Sequence, residues 1–279
     1  MKNKCIEIAV KESLPYKIEE NKQVIVEVHN YETFGDTKKK YHAMLMVLPL
    51  YKDLKEIPFS LKDPKILEII DIIRGTCRQL VGKIFTNLTS SGILFLYGYP
   101  KEVPYAIATF TEKGLFFFRY WIALERYDTN PSTTLKTVHE ALILLIKTPY
   151  SLKNLKVTRS PHLRCMLCED LLRDWGGKKY LLHPKGYVIY DIWYEIPMYF
   201  SAIEDNFFTL SNYVFDRILS LTFNDTNKFF PIILPPNLKG LRIIFDDRLP
   251  IKNLIISPKI VEEIKNEHMQ KRVPRRVNK

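Results

Sequence analysis

The chain has 279 residues, 46% hydrophobic and 26% charged, with 42 Lys and Arg against 31 Asp and Glu for a formal charge of +11. This length and apolar content exclude a disordered chain and allow one large domain, or a domain carrying an insertion. Four cysteines do not make a disulfide scaffold, there is no run of about 18 apolar residues to span a membrane, and MKNKCIEIAVKESL is too charged for a secretory segment, so a cytoplasmic protein is expected.

Residues 23–29, QVIVEVH, and 42–50, HAMLMVLPL, read as strands. From Asp63 the period changes. Ile66, Leu67, Ile69, Ile70, Ile73, Leu80, Val81, Ile84 and Leu88 recur at helical spacing, with Asp63 as cap and Pro64 in the first turn. GILFLYGY, 92–99, is a continuous apolar run, as a strand covered on both faces should be. VPYAIATF, 103–110, predicts a short helix, LFFFRYWIALE, 115–125, a strand, and HEALILLIK, 139–147, another. Residues 150–200 break this rhythm with CMLC, DWGGKK and HPKG. LSNYVFDRILSL, 210–221, returns as a helix; FFPIIL, LRIIF and LIIS read as short strands, and PKIVEEIKNEHM as a closing helix. Strands alternating with helices imply an α/β fold with a doubly wound, largely parallel sheet. The expected organisation is a core of 1–149 and 201–270, an inserted loop-rich segment of 150–200, and a basic tail of 271–279.

The positive charge is clustered, at 38–40, 159–164, 173–179 and 271–279, which favours a phosphate-bearing partner over a merely solvated surface. Arg159, Arg164, Arg173, Lys178, Lys179 and Lys185 lie among Trp175, Tyr180, Tyr187 and Trp193, a mixture suited to phosphate contact and stacking. Arg275 and Arg276 extend the same character into the tail. Against this stands the reading in which Trp175 and Trp193 only form the insert's own small core. Cys165 and Cys168 with His162 and His183 have a spacing that tetrahedral zinc would accept, but one CxxC without a second pair is a weak signal, so no metal is expected. Cys77 reads as a packed thiol.

Several stretches together resemble the DNA amino-methyltransferases, which move a methyl group from S-adenosylmethionine to cytosine N4 or adenine N6. MLMVLPLY stands where that family has a strand ending in Asp/Ser/Asn-Pro-Pro-Tyr/Trp. The long helix, SGILFLYG, FFFRYWIALE and TTLKTVHEALILLIK follow in family order, and 165–197 is similar to one subset's recognition insert. The resemblance implies the S-adenosylmethionine-dependent methyltransferase type of fold, with DNA as partner and dimers common among relatives. In the family the first polar side chain and the proline carbonyl accept bonds from the target amine, and the aromatic stacks on the flipped base. At the vestigial positions Leu48, Pro49, Leu50 and Tyr51, an aliphatic side chain accepts nothing, and an amine buried against it would lack a partner at roughly 1–3 kcal/mol. Past residue 221 the glycine-rich cofactor turn is replaced by FFPIILPPNLKGLRIIFDD, whose one glycine is Gly240 and whose Pro235 and Pro236 bring no amide. The expectation is therefore a non-enzymatic DNA-binding protein on a degenerate methyltransferase fold, without cofactor, in an architectural, regulatory or replication and repair accessory role. Two alternatives stay open: an active methyltransferase with divergent motifs, and an inactive subunit whose partner is another protein.

Overall fold

The computed structural model describes residues 4–19, 22–35, 39–51, 62–126, 139–155, 159–160, 187–188, 192–198, 202–222 and 228–245. By packing, the chain divides into one unit of Met1–Ser160 with Leu182–Asp246 and a second of Pro161–Leu181 with Asp247–Lys279. The second lies wholly outside the described residues, as do the expected LIIS strand and the closing helix.

The first unit is a three-layer α/β structure. Its main sheet contains β2 (Ser13–Glu19), β3 (Lys22–Asn30), β4 (Tyr41–Val47), β5 (Leu88–Gly98), β6 (Phe117–Arg126), β7 (His139–Ile146), β10 (Ile192–Met198) and β13 (Phe229–Leu234). Their order is β10-β6-β7-β5-β4-β13-β3-β2, and only β7 and β2 run against the others. Side chains alternate along β4, so that Ala43, Leu45 and Val47 enter one core and Met44, Met46 and Leu48 the other.

On the Met46 side lie α1 (Pro64–Asn87) and α2 (Val103–Thr111). The Asp63 carboxylate caps α1 by accepting from the Lys65 N–H at 2.9 Å, and Pro64 occupies the first turn, where no amide donor is needed. Ile66, Ile69, Ile70, Ile73, Cys77, Leu80 and Ile84 recur every three or four residues and are all buried, each large one contributing roughly 1.5–3 kcal/mol. On the opposite side lie α3 (Asn212–Thr222) and a smaller sheet of β1 (Lys4–Ala9), β14 (Gly240–Phe245), β12 (Phe207–Ser211) and β11 (Ile203–Glu204). The remaining ladder is a two-residue pairing of β8 (Arg159–Ser160) with β9 (Tyr187–Val188). No helix among the described residues is long and apolar enough to cross a membrane.

Two placements differ from the sequence reading. Residues 192–198, assigned there to the insert, form the sheet's edge strand β10, and Trp193 is buried in the main core with the Arg217 guanidinium 5.4 Å from its ring centre. The N-terminal residues, read only for their charge, form β1 and β2; as edge strands they alternate apolar with charged side chains.

Gly240 opens β14, paired with Ala9 of the antiparallel neighbour β1. A Cβ there would meet the Ile8 carbonyl oxygen at 2.2 Å and the Ala9 Cα at 2.9 Å, so the glycine is required by strand packing. Gly240→Ala is expected to lower stability by at least about 3 kcal/mol in urea unfolding, because both offending atoms are backbone. A loss below about 1 kcal/mol would contradict this packing of β1.

Candidate functional site

The C-terminal ends of β4, β5 and β13 meet at one corner, and residues 48–51 are built into it. The Leu48 N–H donates to the Tyr97 carbonyl at 2.8 Å, prolonging the ladder by one residue. The Leu48 side chain is fully buried on the α1/α2 side, where its Cδ1 would stand 2.7 Å from any Cβ added at Gly98. Glycine at 98 thus makes room for leucine at 48. After Pro49 the chain turns through Leu50 at φ 58°, a left-handed conformation uncommon for a branched side chain, and Leu50 is buried in the opposite core.

A carboxylate holds this turn from below. Glu102, immediately before α2, is fully buried; its Oε1 accepts from the Tyr51 N–H at 2.6 Å and its Oε2 from the Tyr99 N–H at 3.2 Å. One side chain therefore ties the exit of β4 to the exit of β5. Burial pushes the Glu102 carboxyl up to about 7, against the lowering effect of the Tyr51, Tyr99 and Leu50 amides. Burial, then the charge of Glu102, likewise raises Tyr51 and pushes the Cys77 thiol up to about 12, which fits the packed thiol expected there.

The ends of the paired strands β13 and β4 are tied together by Tyr31. Its N–H donates to the Leu234 carbonyl at 3.0 Å, its hydroxyl donates to the Val47 carbonyl, and burial holds that hydroxyl protonated well above its ordinary value. Beyond Leu234 the backbone turns at Pro235 and enters β14 without a helix. The Leu238 N–H donates to the Pro235 carbonyl at 3.1 Å and the Lys239 N–H to the Asn206 carbonyl at 2.7 Å, so these amides are engaged by the protein itself. Leu50, Ile232, Leu234 and Leu238 belong to one buried apolar cluster.

Of the other residues singled out by sequence, Arg159 lies in β8 opposite Val188. Arg164, Arg173, Trp175, Lys178, Lys179, Lys185, Arg275 and Arg276 lie outside the described residues, and so do Cys165, Cys168, His162 and His183. Glu140, beside His139 at the start of the strand read at 139–147, is buried. Sequence reasoning missed Glu102 and Tyr31. An acid just ahead of Val103-Pro104 at a helix start is a usable signal for the first; a lone tyrosine in a polar connection gives none for the second.

The sheet, with its antiparallel strand β7 between β5 and β6, makes this unit an α/β fold built on a mixed, largely parallel sheet. Over 141 residues the chain is 29% identical and homologous to the type II methyltransferase M.BamHI of Bacillus amyloliquefaciens. That match takes in 50% of this chain and spans only about a third (33%) of the length of M.BamHI. No protein-family model matches. Among solved structures, M1.HpyAVI aligns at TM-score 0.42 and 10% identity, covering 75% of this chain and 91% of its own. The cytosine-N4-specific PvuII DNA methyltransferase aligns at TM-score 0.42 and 9% identity, covering 88% of this chain and 93% of its own.

Proposed function

We propose that this chain is a non-enzymatic, cytoplasmic DNA-binding protein on a degenerate methyltransferase scaffold, with an architectural, regulatory or replication and repair accessory role. The observation that carries this reading is the corner of β4, β5 and β13. A methyl donor with its nucleoside would need an open crevice, free amides after β13 and a polar acceptor at position 48. Among the described residues Tyr31 ties the ends of β13 and β4 together, the Leu238 and Lys239 amides are engaged, and Leu48 and Leu50 are buried in opposite cores. These residues do not fit S-adenosylmethionine. DNA is the partner favoured by the charge of +11 and by the partial similarity to the type II methyltransferase M.BamHI; the basic and aromatic residues 159–185, with Arg275 and Arg276, are the proposed contacts.

Calorimetric titration with S-adenosylmethionine should give no heat of binding, and labelled cofactor should transfer no methyl group to duplex DNA. Gel-shift titration of duplex DNA should give an affinity that falls about a thousandfold between 50 and 200 mM salt if some six phosphates are neutralised. Saturable cofactor binding with methyl transfer would overturn the reading. So would the absence of salt-sensitive DNA affinity, an outcome that with a stoichiometric protein partner points to the subunit role.

A further inference from the structure

The first half of β6 is an uncovered aromatic edge. Phe117, Phe118 and Tyr120 are 47%, 46% and 42% exposed, and Arg119 between them is exposed as well. Four consecutive exposed residues show that, among the described residues, the outer margin of this strand is open on both faces, while its partners Leu144, Leu145 and Ile146 on β7 are buried. Among the described residues β10 meets β6 only at Ala123, Leu124 and Arg126, leaving residues 117–122 with β7 alone beside them. Tyr150, 71% exposed, follows shortly after Ile146, the residue paired with Phe117.

The register shows how the aromatics are distributed. Phe117 pairs with Ile146, Phe118 with Leu145 and Tyr120 with Leu144, so Arg119 is an extra residue forming a β-bulge. The bulge places Phe117 and Tyr120 on the face of Ile146 and Leu144, and Phe118 with the partly buried Trp121 on the face of Leu145 and Ile143. Each face of the edge thus carries an aromatic pair. A bulge interrupts the backbone ladder that an added strand would need, so the edge is poorly made for pairing with another chain, and recognition falls to the side chains. The charged residues along 112–120 are Glu112, Lys113 and Arg119, net positive, and the Arg119 guanidinium stands 5.2 Å from the Tyr120 ring centre. Flat rings at close spacing, on both sides of a cation, match unstacked bases joined by phosphates.

We infer that the Phe117–Tyr120 edge is a second nucleic-acid contact that takes single-stranded nucleic acid by base stacking, with Arg119 on the phosphates. This rests on the DNA-binding reading above but uses residues outside the basic insert and tail. It assigns the protein a preference for DNA that is locally opened.

The test is fluorescence anisotropy with labelled 15-nucleotide oligothymidine and, in parallel, a labelled duplex, using the full chain and the double variant Phe118→Ala with Tyr120→Ala. Both side chains are exposed, and matching thermal unfolding of variant and parent checks that the fold is kept. The expected result is a loss of at least about tenfold in oligothymidine affinity, with duplex affinity changed less than about twofold. Arg119→Ala should weaken oligothymidine binding and flatten its salt dependence. If the parent binds duplex but not oligothymidine, or the double variant binds both equally well, the inference falls while the DNA-binding reading stands. If neither nucleic acid binds, both fall together. A double variant that binds oligothymidine unchanged but loses self-association in sedimentation, or loses binding to phosphatidylserine vesicles, would reassign the edge to a second copy or to a membrane surface and overturn the inference.

Discussion

Glu102→Gln should remove a component of stability that declines with pH. Burial raises the folded carboxyl from an ordinary 4.5 to about 7, so the folded protein holds this proton more tightly than the unfolded chain does. The stability Glu102 lends is therefore fully present below pH 4.5 and is lost as pH rises through about 7, amounting to about 3 kcal/mol across that window. Glutamine keeps the shape of the protonated acid and cannot titrate. Relative to wild type, the variant should thus gain about 3 kcal/mol between pH 4.5 and pH 8 in urea unfolding. Asp216, raised to about 6 by burial, and Glu27 titrate in both proteins and cancel in the comparison. A difference that stays constant across this range would refute the clamp. Glu102→Ala should be worse at every pH, since it leaves the Tyr51 and Tyr99 amides without their acceptor at roughly 1–3 kcal/mol each.

On the proposed reading, placing an acid at position 48 should not confer methyl transfer. Leu48→Asp removes a fully buried alkyl group packed over Gly98 and sets a charge in the corner that already encloses Glu102. The lost packing alone is worth about 2–5 kcal/mol, and an uncompensated buried carboxylate adds to it, so a loss of at least about 4 kcal/mol is expected. No methyl transfer should appear, because Tyr31 and the turn after β13 are unchanged. A stable Leu48→Asp protein that transfers labelled methyl groups to duplex DNA would show that position 48 was the sole obstacle.

What could be read from residues alone followed burial. Helix α1 announced itself through Asp63, Pro64 and an isoleucine stripe, and β5 and β7 through uninterrupted apolar runs covered on both faces. The peripheral strands were harder: KCIEIA and SLPYKIE are half solvated, and IWYEIPM carries Pro197, so none shows the apolar continuity of a central strand. The aliphatic side chains at 48 and 50 were visible at once. Their surroundings were not, because the clamp joins Tyr51 to an acid on a different element and the bridge joins Tyr31 to two strands distant in sequence. Such contacts are properties of the folded chain, and no local period encodes them.

The place of β13 has a consequence for how the protein is made. This strand lies between β3 and β4 in the middle of the main sheet, yet it comes from residues 229–234, late in the chain. Until those residues leave the ribosome, β3 and β4 each present an open, apolar flank with no neighbour to join. Among the described residues the middle of the sheet is thus completed by a strand far along the chain, and such pairings between distant segments slow folding.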